Sequence, residues 1–291
     1  MSVKTFFDQD SHTFSYVIRD PHSRKCAVID PVLDIDLASA CTTTKSADQI
    51  ISYIQDQGLE LQWVLETHAH ADHLTSAAYI KKQLGGKMAI GRRIKQVLDL
   101  WVPIFGTEAD TPLDGSQFDE LWDDGQTFML GHTPIHVMYT PGHTPACVTY
   151  LFEDKAFVGD TLFMPARGTA RVDFPGGSAH DLYQSIHKLY SLPDQTCVYV
   201  CHDYPVDGQS PTNMATIAEH KAHNVMVMEG ISEKDYVQKR QERDRGLSMP
   251  RLILPGLQVN LRGGDLGVID QLGHQHLKIP LNVFCQDDSS K

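Results

Sequence analysis

The chain has few cysteines and no long hydrophobic segment. Its six cysteines among 291 residues include no Cys-x-x-Cys pair, which excludes a dense disulfide framework and argues for reduced thiols. No apolar run approaches the roughly 20 residues of a membrane-spanning helix. The N-terminal segment MSVKTFFDQDSHTFSY lacks the apolar core of a signal peptide. We therefore expect a cytoplasmic protein that binds no membrane.

Basic residues are scarce as well. Lys and Arg together number 25 against 37 Asp and Glu, which gives a formal net charge of −12. This charge disfavours nonspecific binding to nucleic acid or anionic lipid, so we expect neither as a partner. An anionic small molecule would need local basic side chains to receive it. Hydrophobic residues make up 41% of the chain, and a chain of this length can bury a substantial core without covalent cross-links.

Side chains that bind metal ions are, in contrast, dense at residues 68–73, which read HAHADH. All but the two alanines are imidazoles or carboxylates, the ligands that divalent transition metals use. The segment begins three positions after the apolar residues 63–65 end. Burying so many polar groups is costly unless a cation neutralises them. The motif therefore predicts a metal site, with a solvated polar turn as the alternative.

Three later residues repeat this placement. His143, Asp160 and His202 each follow an apolar, strand-like segment within a few residues. The ends of strands converge at one edge of a sheet, where loops carry chemistry on a rigid scaffold. The sequence therefore predicts that all four segments bring their metal-capable side chains to the same edge.

Alternation of apolar residues and turn signals give a coarse secondary structure. Strands are predicted near residues 14–19, 26–30, 61–66, 127–130, 134–140, 147–152, 155–159 and 197–201. Helices are predicted after a capping box at residues 46–49, over 74–84 and 179–191, and in two pieces within 213–247, the second capped by Ser232. Residues 101–122 are rich in turn formers and predict an irregular connector.

The ordered motifs HAHADH, TPGHT at 140–144, GDTLF at 159–163 and CHDY at 201–204 resemble the metallo-β-lactamase superfamily. The resemblance implies an α/β fold, the αββα four-layer sandwich. It also implies a catalytic core over residues 1–210 and a C-terminal helical or extended extension over residues 211–291. Two branches of the superfamily compete for this chain: thiolester hydrolases of the glyoxalase II type, and persulfide dioxygenases, also called sulfur dioxygenases.

Both branches share seven metal-binding positions, which the resemblance assigns to His68, His70, Asp72, His73, His143, Asp160 and His202. In the hydrolase, two Zn(II) ions or one iron and one zinc are bound. There His70 joins His68 and His143 at the first metal, Asp72, His73 and His202 hold the second, and Asp160 bridges the two. In the dioxygenase, one Fe(II) is held by His68, His143 and Asp160, and the other four residues orient these ligands. The ligand count alone does not choose between the branches.

The segments after Asp160 favour the dioxygenase. Residues 168–174, GTARVDF, resemble that branch's GCGRTDF, with Thr169 in place of the family's cysteine. The resemblance implies that Arg171 approaches the thiol substrate; an ion pair with Asp173 is the structural alternative. The H-D-Y motif at 202–204 implies catalytic roles for His202 and Tyr204, with Tyr204 near the substrate.

The tail segment over residues 250–263 extends the resemblance. It is similar to the dioxygenase C-terminus and to a bacterial subgroup called β-lactamase-like hydrolases, which carry similar GTAR-x-DFPGG and PRLILP-x-LQVN segments. It implies that Arg262 contacts the substrate, although a surface or helix-cap role is equally compatible. Asp72 is assigned a catalytic role beside its place in the metal motif.

The resemblance therefore implies an iron-dependent persulfide dioxygenase. Its expected partners are O₂ and the persulfide of a small thiol, with glutathione as the expected carrier, in sulfide detoxification. The alternative is a glyoxalase II-type hydrolase, and a third possibility is a non-enzymatic metal-binding protein. β-Lactam hydrolysis is disfavoured because no export signal is present. A homodimer is expected from the family alone.

Overall fold

Two six-stranded sheets form the centre of this structure, a computed structural model that describes residues 3–205 and 209–284. The strands are β1 Val3–Asp8, β2 Thr13–Arg19, β3 Lys25–Ile29, β4 Val32–Asp36, β5 Cys41–Thr43, β6 Glu60–Leu65, β7 Leu74–Thr75, β8 Lys87–Gly91, β9 Glu120–Trp122, β10 Thr127–Leu130, β11 Thr133–Tyr139, β12 Val148–Phe152, β13 Lys155–Phe157, β14 Cys197–Tyr199 and β15 Met214–Thr216. The helices are α1 Lys45–Asp56, α2 Ala77–Leu84, α3 Ile94–Phe105, α4 Ala179–Tyr190, α5 Ile217–His223, α6 Glu233–Asp244 and α7 Ile253–Asn260.

The first sheet has the order β1-β2-β3-β6-β8-β9 and the second the order β10-β11-β12-β13-β14-β15. The first is antiparallel over β1, β2 and β3 and parallel from β3 to β9. The second is antiparallel except for the parallel pair of β13 and β14. A small third sheet joins β5, β4 and β7. Since parallel strands need a crossover, α1 and α2 connect the strands of the first sheet.

The alternation of side chains along β6 shows how the layers form. Trp63 and Leu65 point into the core between the two sheets, whereas Val64 packs on the other face with Ile50 and Ile54 of α1. Helices α1, α2 and α3 cover the outer face of the first sheet, and α4 contributes buried side chains to the core of the second. The predicted four-layer α/β sandwich is confirmed.

Most predicted elements are present, but the predicted starts of two helices are wrong. Helix α1 begins after Thr44 rather than at a Ser46 cap, because the Ser46 hydroxyl and backbone N–H both donate to Asp34. Helix α2 begins at Ala77, since the two residues after His73 form β7 and pair with β4. The predicted cap at Ser232 is confirmed, and the Ser178 side chain caps α4.

The predicted connector over residues 101–122 is helical at its start. Helix α3 continues to Phe105, although Pro103 lies within it. The apolar face of this helix, which includes Trp101, Val102 and Phe105, is buried. This burial outweighs the one backbone hydrogen bond that the proline removes near the helix end.

Residues beyond 210 are bonded to the rest of the chain. Strand β15 pairs with β14 and closes the second sheet, and α7 packs against β7 beside the predicted metal motif. The division of the chain at residue 210 stays a prediction. In the described ranges, no helix combines the length and the apolar character that crossing a membrane requires.

Candidate metal centre

The four strand ends converge as predicted. Strands β6, β11, β13 and β14 each finish a few residues before a predicted ligand and deliver it to the same edge of the sandwich, which we call the metal edge. At this edge Asp160 Oδ2 lies 3.7 Å from His143 Nε2 and 4.0 Å from His68 Nε2. Its other oxygen, Oδ1, lies 3.3 Å from His202 Nε2. The structure therefore brings residues from all four segments together.

Two motif glycines allow this close approach. Gly142 has a φ of +142°, and a Cβ there would lie 2.4 Å from the backbone of Leu182. Gly159 has a φ of +52°, and a Cβ there would lie 2.4 Å from Thr67 Oγ1. Any larger residue would force the loops of His143 and Asp160 away from the edge.

The seven predicted ligands fall into two groups. In the first, which we call the triad, one ligand atom from each of His68, His143 and Asp160 lies within 4.8 Å of the others. In the second, which we call the tetrad, the same limit is met by His70, Asp72, His73 and His202. Among the described residues, His68, His70 and His143 do not form such a set.

His70 instead faces two buried carboxylates. Its Nε2 lies 3.2 Å from Asp30 and 3.7 Å from Glu66. Both carboxyl groups have a raised pKa, since burial disfavours their charged forms. Sequence reasoning did not single out Asp30 or Glu66. The only indication in the sequence is that each directly follows an apolar strand, as the predicted ligands do within a few residues.

Hydrogen bonds fix the orientation of both triad imidazoles. His143 Nδ1 donates to the backbone oxygen of Arg171 at 2.7 Å, which leaves Nε2 as the free lone pair facing Asp160. His68 Nδ1 lies 3.0 Å from Thr67 Oγ1. Because the Thr67 hydroxyl donates its only proton to Asp30 at 2.8 Å, it accepts from His68, and His68 Nε2 is likewise left free. Such outer contacts select the tautomer that binds a metal.

The tetrad is held together by its own ion pairs. Asp72 lies 3.0 Å from His202 Nε2 and 3.3 Å from His73 Nδ1. Burial opposes a charge on His202, but Asp72 and Asp160 outweigh it and raise the pKa of His202 to about 10. In the triad, burial and the neighbouring imidazoles hold the pKa of His68 well below its usual range. His68 is therefore neutral, as a metal ligand must be.

The donor set fits a divalent cation. Among the seven predicted ligands, six buried ring or carboxylate atoms have no hydrogen-bond partner in the part of the chain that the structure describes: His68 Nε2, His70 Nδ1, His70 Nε2, His73 Nε2, Asp160 Oδ1 and His202 Nε2. Each such atom costs about 1–3 kcal/mol if nothing satisfies it. They cluster where the ligand atoms converge, so a bound metal ion would satisfy several of them at once. Imidazole and carboxylate donors suit iron and zinc alike.

Asn260 in α7 supports the metal motif from below. Its side-chain nitrogen donates to the backbone oxygens of His70 and His73, both at 2.8 Å, and its side-chain oxygen accepts from Thr75 N at 2.7 Å. Asn260 is 4% exposed. The three hydrogen bonds of its side chain therefore join α7 to the metal motif and to β7, which follows the motif directly. The sequence marks this residue only as part of the tail resemblance.

A pocket opens over the triad, with a cavity volume of about 480 Å³. We call it the central pocket; His143, Asp160 and Asp72 line its floor, and Arg171 and Tyr204 line its wall. The ring of Tyr204 stacks on His202 with a centroid distance of 6.1 Å. The structure therefore brings both of these predicted substrate contacts to the site.

Arg171 makes the ion pair with Asp173 that the structural alternative predicts, and it also lines the central pocket, so its contact with the substrate stays a prediction. Its guanidinium makes two bonds to Asp173, at 2.7 and 2.6 Å, and donates to Ser248 O at 2.7 Å. It also lies 4.6 Å from the ring centroid of Phe174, which fixes its place in the pocket wall. Thr169, which replaces the family's cysteine, is buried and lies 2.9 Å from the hydroxyl of Tyr236.

The predicted substrate contact of Arg262 is not supported. The structure buries this side chain away from the central pocket, where it donates to Asp110 at 2.8 Å and to Gln258 O at 3.0 Å. Asp110 lies in the connector after α3, so the tail and the connector are joined there. The structural role of Arg262 follows from a partner that is 152 positions away in sequence.

Comparisons with known proteins agree on the family. The model of the metallo-beta-lactamase superfamily matches residues 9–202. A probable metallo-hydrolase of Burkholderia pseudomallei is 48% identical over 294 residues, covering 98% of this chain and 100% of that protein. Human mitochondrial persulfide dioxygenase ETHE1 is 33% identical over 205 residues, covering 69% of this chain and 68% of that protein. The crystal structure of ETHE1 from Myxococcus xanthus matches with a TM-score of 0.72 and 28% identity, covering 91% of this chain and 100% of that one.

Proposed function

The chain belongs to the metallo-β-lactamase superfamily, and from that premise we propose that it is an iron-dependent persulfide dioxygenase. The proposed reaction is R-S-SH + O₂ + H₂O → R-SH + sulfite + 2H⁺. R is a low-molecular-weight thiol carrier, with glutathione as the expected one, and the reaction serves sulfide detoxification. The human relative is named persulfide dioxygenase ETHE1, and the solved structure from Myxococcus xanthus carries the name ETHE1.

The observation that carries this proposal is the composition of the triad. Two imidazoles and one carboxylate lie within 4.8 Å of one another. The free nitrogen of His143 and the carboxylate of Asp160 lie at the floor of an open pocket. His70 lies with the tetrad instead. A set of two histidines and one carboxylate with open positions is typical of non-haem Fe(II) oxygenases.

The residues around the triad orient its ligands and shape the pocket above it. When bound, one Fe(II) per chain would supply the electron chemistry that makes O₂ reactive toward a sulfur ligand. The Arg171 backbone oxygen fixes His143, and His202, which is paired with Asp72, lies 3.3 Å from Asp160 Oδ1 and holds that carboxylate in place. The Arg171 guanidinium and Tyr204 form the wall along which the thiol carrier would lie.

The first experiment is O₂ uptake by protein that has been loaded with iron under anaerobic conditions. Glutathione persulfide is added, and sulfite is assayed in the same cell. We expect equal amounts of O₂ consumed and sulfite formed. Anaerobic loading is needed because zinc outcompetes ferrous iron at many nitrogen and oxygen sites. No uptake by a sample with one measured iron per chain would contradict the proposal.

A matched pair of variants tests the ligand assignment. His143→Ala should abolish both iron binding and O₂ uptake, because it removes a triad ligand. His70→Ala should keep one iron per chain and lose about 10- to 100-fold in rate, as for residues that only orient ligands. Persulfide-dependent uptake that survives in His143→Ala would contradict the triad.

A second candidate is a thiolester hydrolase of the glyoxalase II type with two metals. The tetrad favours it, because four further donors lie beside the triad and can hold a second cation. The name of the Burkholderia pseudomallei relative also points to hydrolysis. This function predicts two metals per chain and hydrolysis of S-lactoylglutathione without O₂. It also predicts that His70→Ala and His73→Ala are as damaging as His143→Ala.

A further inference from the structure

The mouth of the central pocket is basic, although the chain carries a net charge of −12. Five arginines line the pocket: Arg167, Arg171, Arg240, Arg243 and Arg251. Apart from Asp72 and Asp160 at the floor, the lining contains one other acidic side chain, Asp10. A pocket lined by charges of one sign attracts ligands of the other sign.

Three of the five arginines are occupied by acidic partners. Arg240 pairs with Asp244 at 2.5 Å, and Arg171 pairs with Asp173 at 2.6 Å. Arg167 lies 3.7 Å from Asp203 and donates to the backbone oxygen of Tyr204. These three arginines therefore belong to the wall itself.

Arg243 and Arg251 differ from the other three. Both are exposed at the mouth, and no described carboxylate lies within the 4 Å of an ion pair from either of them. Arg243 makes one long contact, 4.0 Å to the sulfur of Met226. Arg251 acts on the exposed Asp36 only at longer range. Two guanidinium groups that form no ion pair within this distance, beside the pocket, can bind carboxylates with charge-assisted hydrogen bonds.

The positions of these two arginines are fixed by buried neighbours. Arg243 lies on the last turn of α6, and that helix is bonded to the pocket wall through Arg240, which donates to Thr169 O at 2.8 Å, and Asp244, which accepts from Val172 N at 3.0 Å. Arg251 directly precedes Leu252, which is 5% exposed. The backbone of Arg243 is therefore held against the pocket wall, and that of Arg251 is held next to a buried side chain.

We propose that Arg243 and Arg251 form an anion subsite for the carboxylates of the thiol carrier. The ligand class is a peptidic thiol with two carboxylates, whose sulfur points to the triad while its carboxylates lie at the mouth. This inference rests on the proposed function for the sulfur end of the ligand. It assigns to this pair the contact that sequence reasoning gave to Arg262. Carriers without carboxylates gain nothing from the subsite.

The test uses an inert carrier, so that it does not depend on turnover. Binding of S-methylglutathione and of its diethyl ester to the metal-loaded protein is measured by calorimetry at low salt. We expect the Arg243→Ala/Arg251→Ala double variant to bind S-methylglutathione about 10-fold or more weakly. The double variant and the unmodified protein should bind the diester equally well. The loss of affinity for S-methylglutathione in the double variant should shrink at high salt.

Two matched variants complete the design. Arg245→Ala removes an exposed arginine that follows α6 but does not line the pocket, and it should leave binding unchanged. Arg243→Lys/Arg251→Lys keeps both charges and should recover much of the lost affinity. Equal binding of S-methylglutathione by the Ala double variant and the unmodified protein would overturn the subsite.

Measurements of kcat and KM distinguish a failure of the anion subsite from a failure of the proposed dioxygenase activity. With glutathione persulfide, the double variant should show a raised KM and a nearly unchanged kcat, whereas the persulfide of mercaptoethanol should show neither effect. Absence of O₂ uptake in the unmodified protein, with the binding result intact, would contradict the dioxygenase and leave the subsite. Normal uptake with no effect of the double variant on KM or binding would contradict the subsite alone.

Discussion

Two buried aspartates at opposite ends of the sandwich differ in how their oxygens are used. Asp20 follows β2 at the end away from the metal edge and accepts bonds from His22 N, Ser23 Oγ, His132 N and Thr133 Oγ1. Asp160 at the metal edge receives no hydrogen bond at Oδ1 among the described residues, and the nearest charged neighbour of that oxygen is another predicted ligand, His202, at 3.3 Å. Their exposed fractions are similar, 0% and 6%. Burial alone therefore does not identify a ligand; an unused acceptor does.

The same difference shows in their acidity. Burial raises the pKa of Asp20, but its four hydrogen-bond donors outweigh burial and hold the pKa well below its usual range. For Asp160, burial is the stronger effect and raises the pKa, although His202 and His143 oppose it. One carboxylate is stabilised by the scaffold, and the other depends on what it binds.

Removal of Asp160 should produce the largest effect on activity. We expect Asp160→Ala to lose more than the roughly 100-fold that orienting residues contribute, because a ligand is removed. Its free energy of unfolding without metal should fall by only about 1 kcal/mol, since His202, which loses its 3.3 Å contact with Oδ1, keeps its closer ion pair with Asp72 at 3.0 Å. O₂ uptake and urea unfolding measure the two quantities. A large fall in stability would show that Asp160 is structural after all.

Removal of Asp20 should show the reverse pattern. Asp20→Ala leaves four donors unsatisfied at a buried turn, so we expect a loss of about 3 kcal/mol in the free energy of unfolding. The specific activity per folded molecule should stay unchanged, because the metal edge lies at the other end of β2. Urea unfolding and O₂ uptake in buffer without urea test this. A loss of activity per folded molecule would break the comparison.

Asn260 should affect both stability and the metal site, because its side chain holds the metal motif against α7. Asn260→Ala should lower the free energy of unfolding by about 2 kcal/mol and weaken metal binding about 10-fold. Urea unfolding and metal titration measure the two losses. The control is Asn213→Ala, which removes one half-buried bond to Thr5 Oγ1. A stability loss with unchanged metal affinity would mean that the loop keeps its shape without the amide.

The smallest effect concerns pH. Because the pKa of folded Asp20 is lowered, its charge contributes stability above the unfolded value of about 3.9. The contribution is lost as the pH falls through the folded value. The difference in unfolding free energy between the protein and Asp20→Asn should therefore be constant from pH 7 to 5 and shrink below about pH 4. A difference that stays constant down to pH 3 would mean that the charge of Asp20 contributes nothing to the free energy of unfolding.

The sequence predicts the metal edge well because ligands at strand ends converge whatever the details of packing. His68, His143, Asp160 and His202 could be assigned to one place from motif order and strand endings alone. The resemblance gave the division into triad and tetrad as one of two alternatives, and the sequence could not choose between them, since the choice depends on where the His70 ring turns. The His70 ring turns toward Asp30 and Glu66. Asp30 is distant in the chain, and Glu66 belongs to no recognised motif.

The errors have a common cause in distant partners. Ser46 has the pattern of a helix cap, but Asp34 on β4 competes for its hydroxyl. Arg262 has the position of a family arginine, but Asp110 from the connector holds it elsewhere. Local patterns predict which bonds a residue can make; the tertiary structure decides which ones it does make.

The bonds of Asn260 limit how the gene can be recombined. A chimera that takes the histidine motif from one relative and α7 from another must join a loop and an amide that were not selected together. Such a hybrid can retain all seven metal-binding residues and still present them at the wrong spacing. The segment before β7 and the segment after Pro255 should therefore be inherited from the same parent.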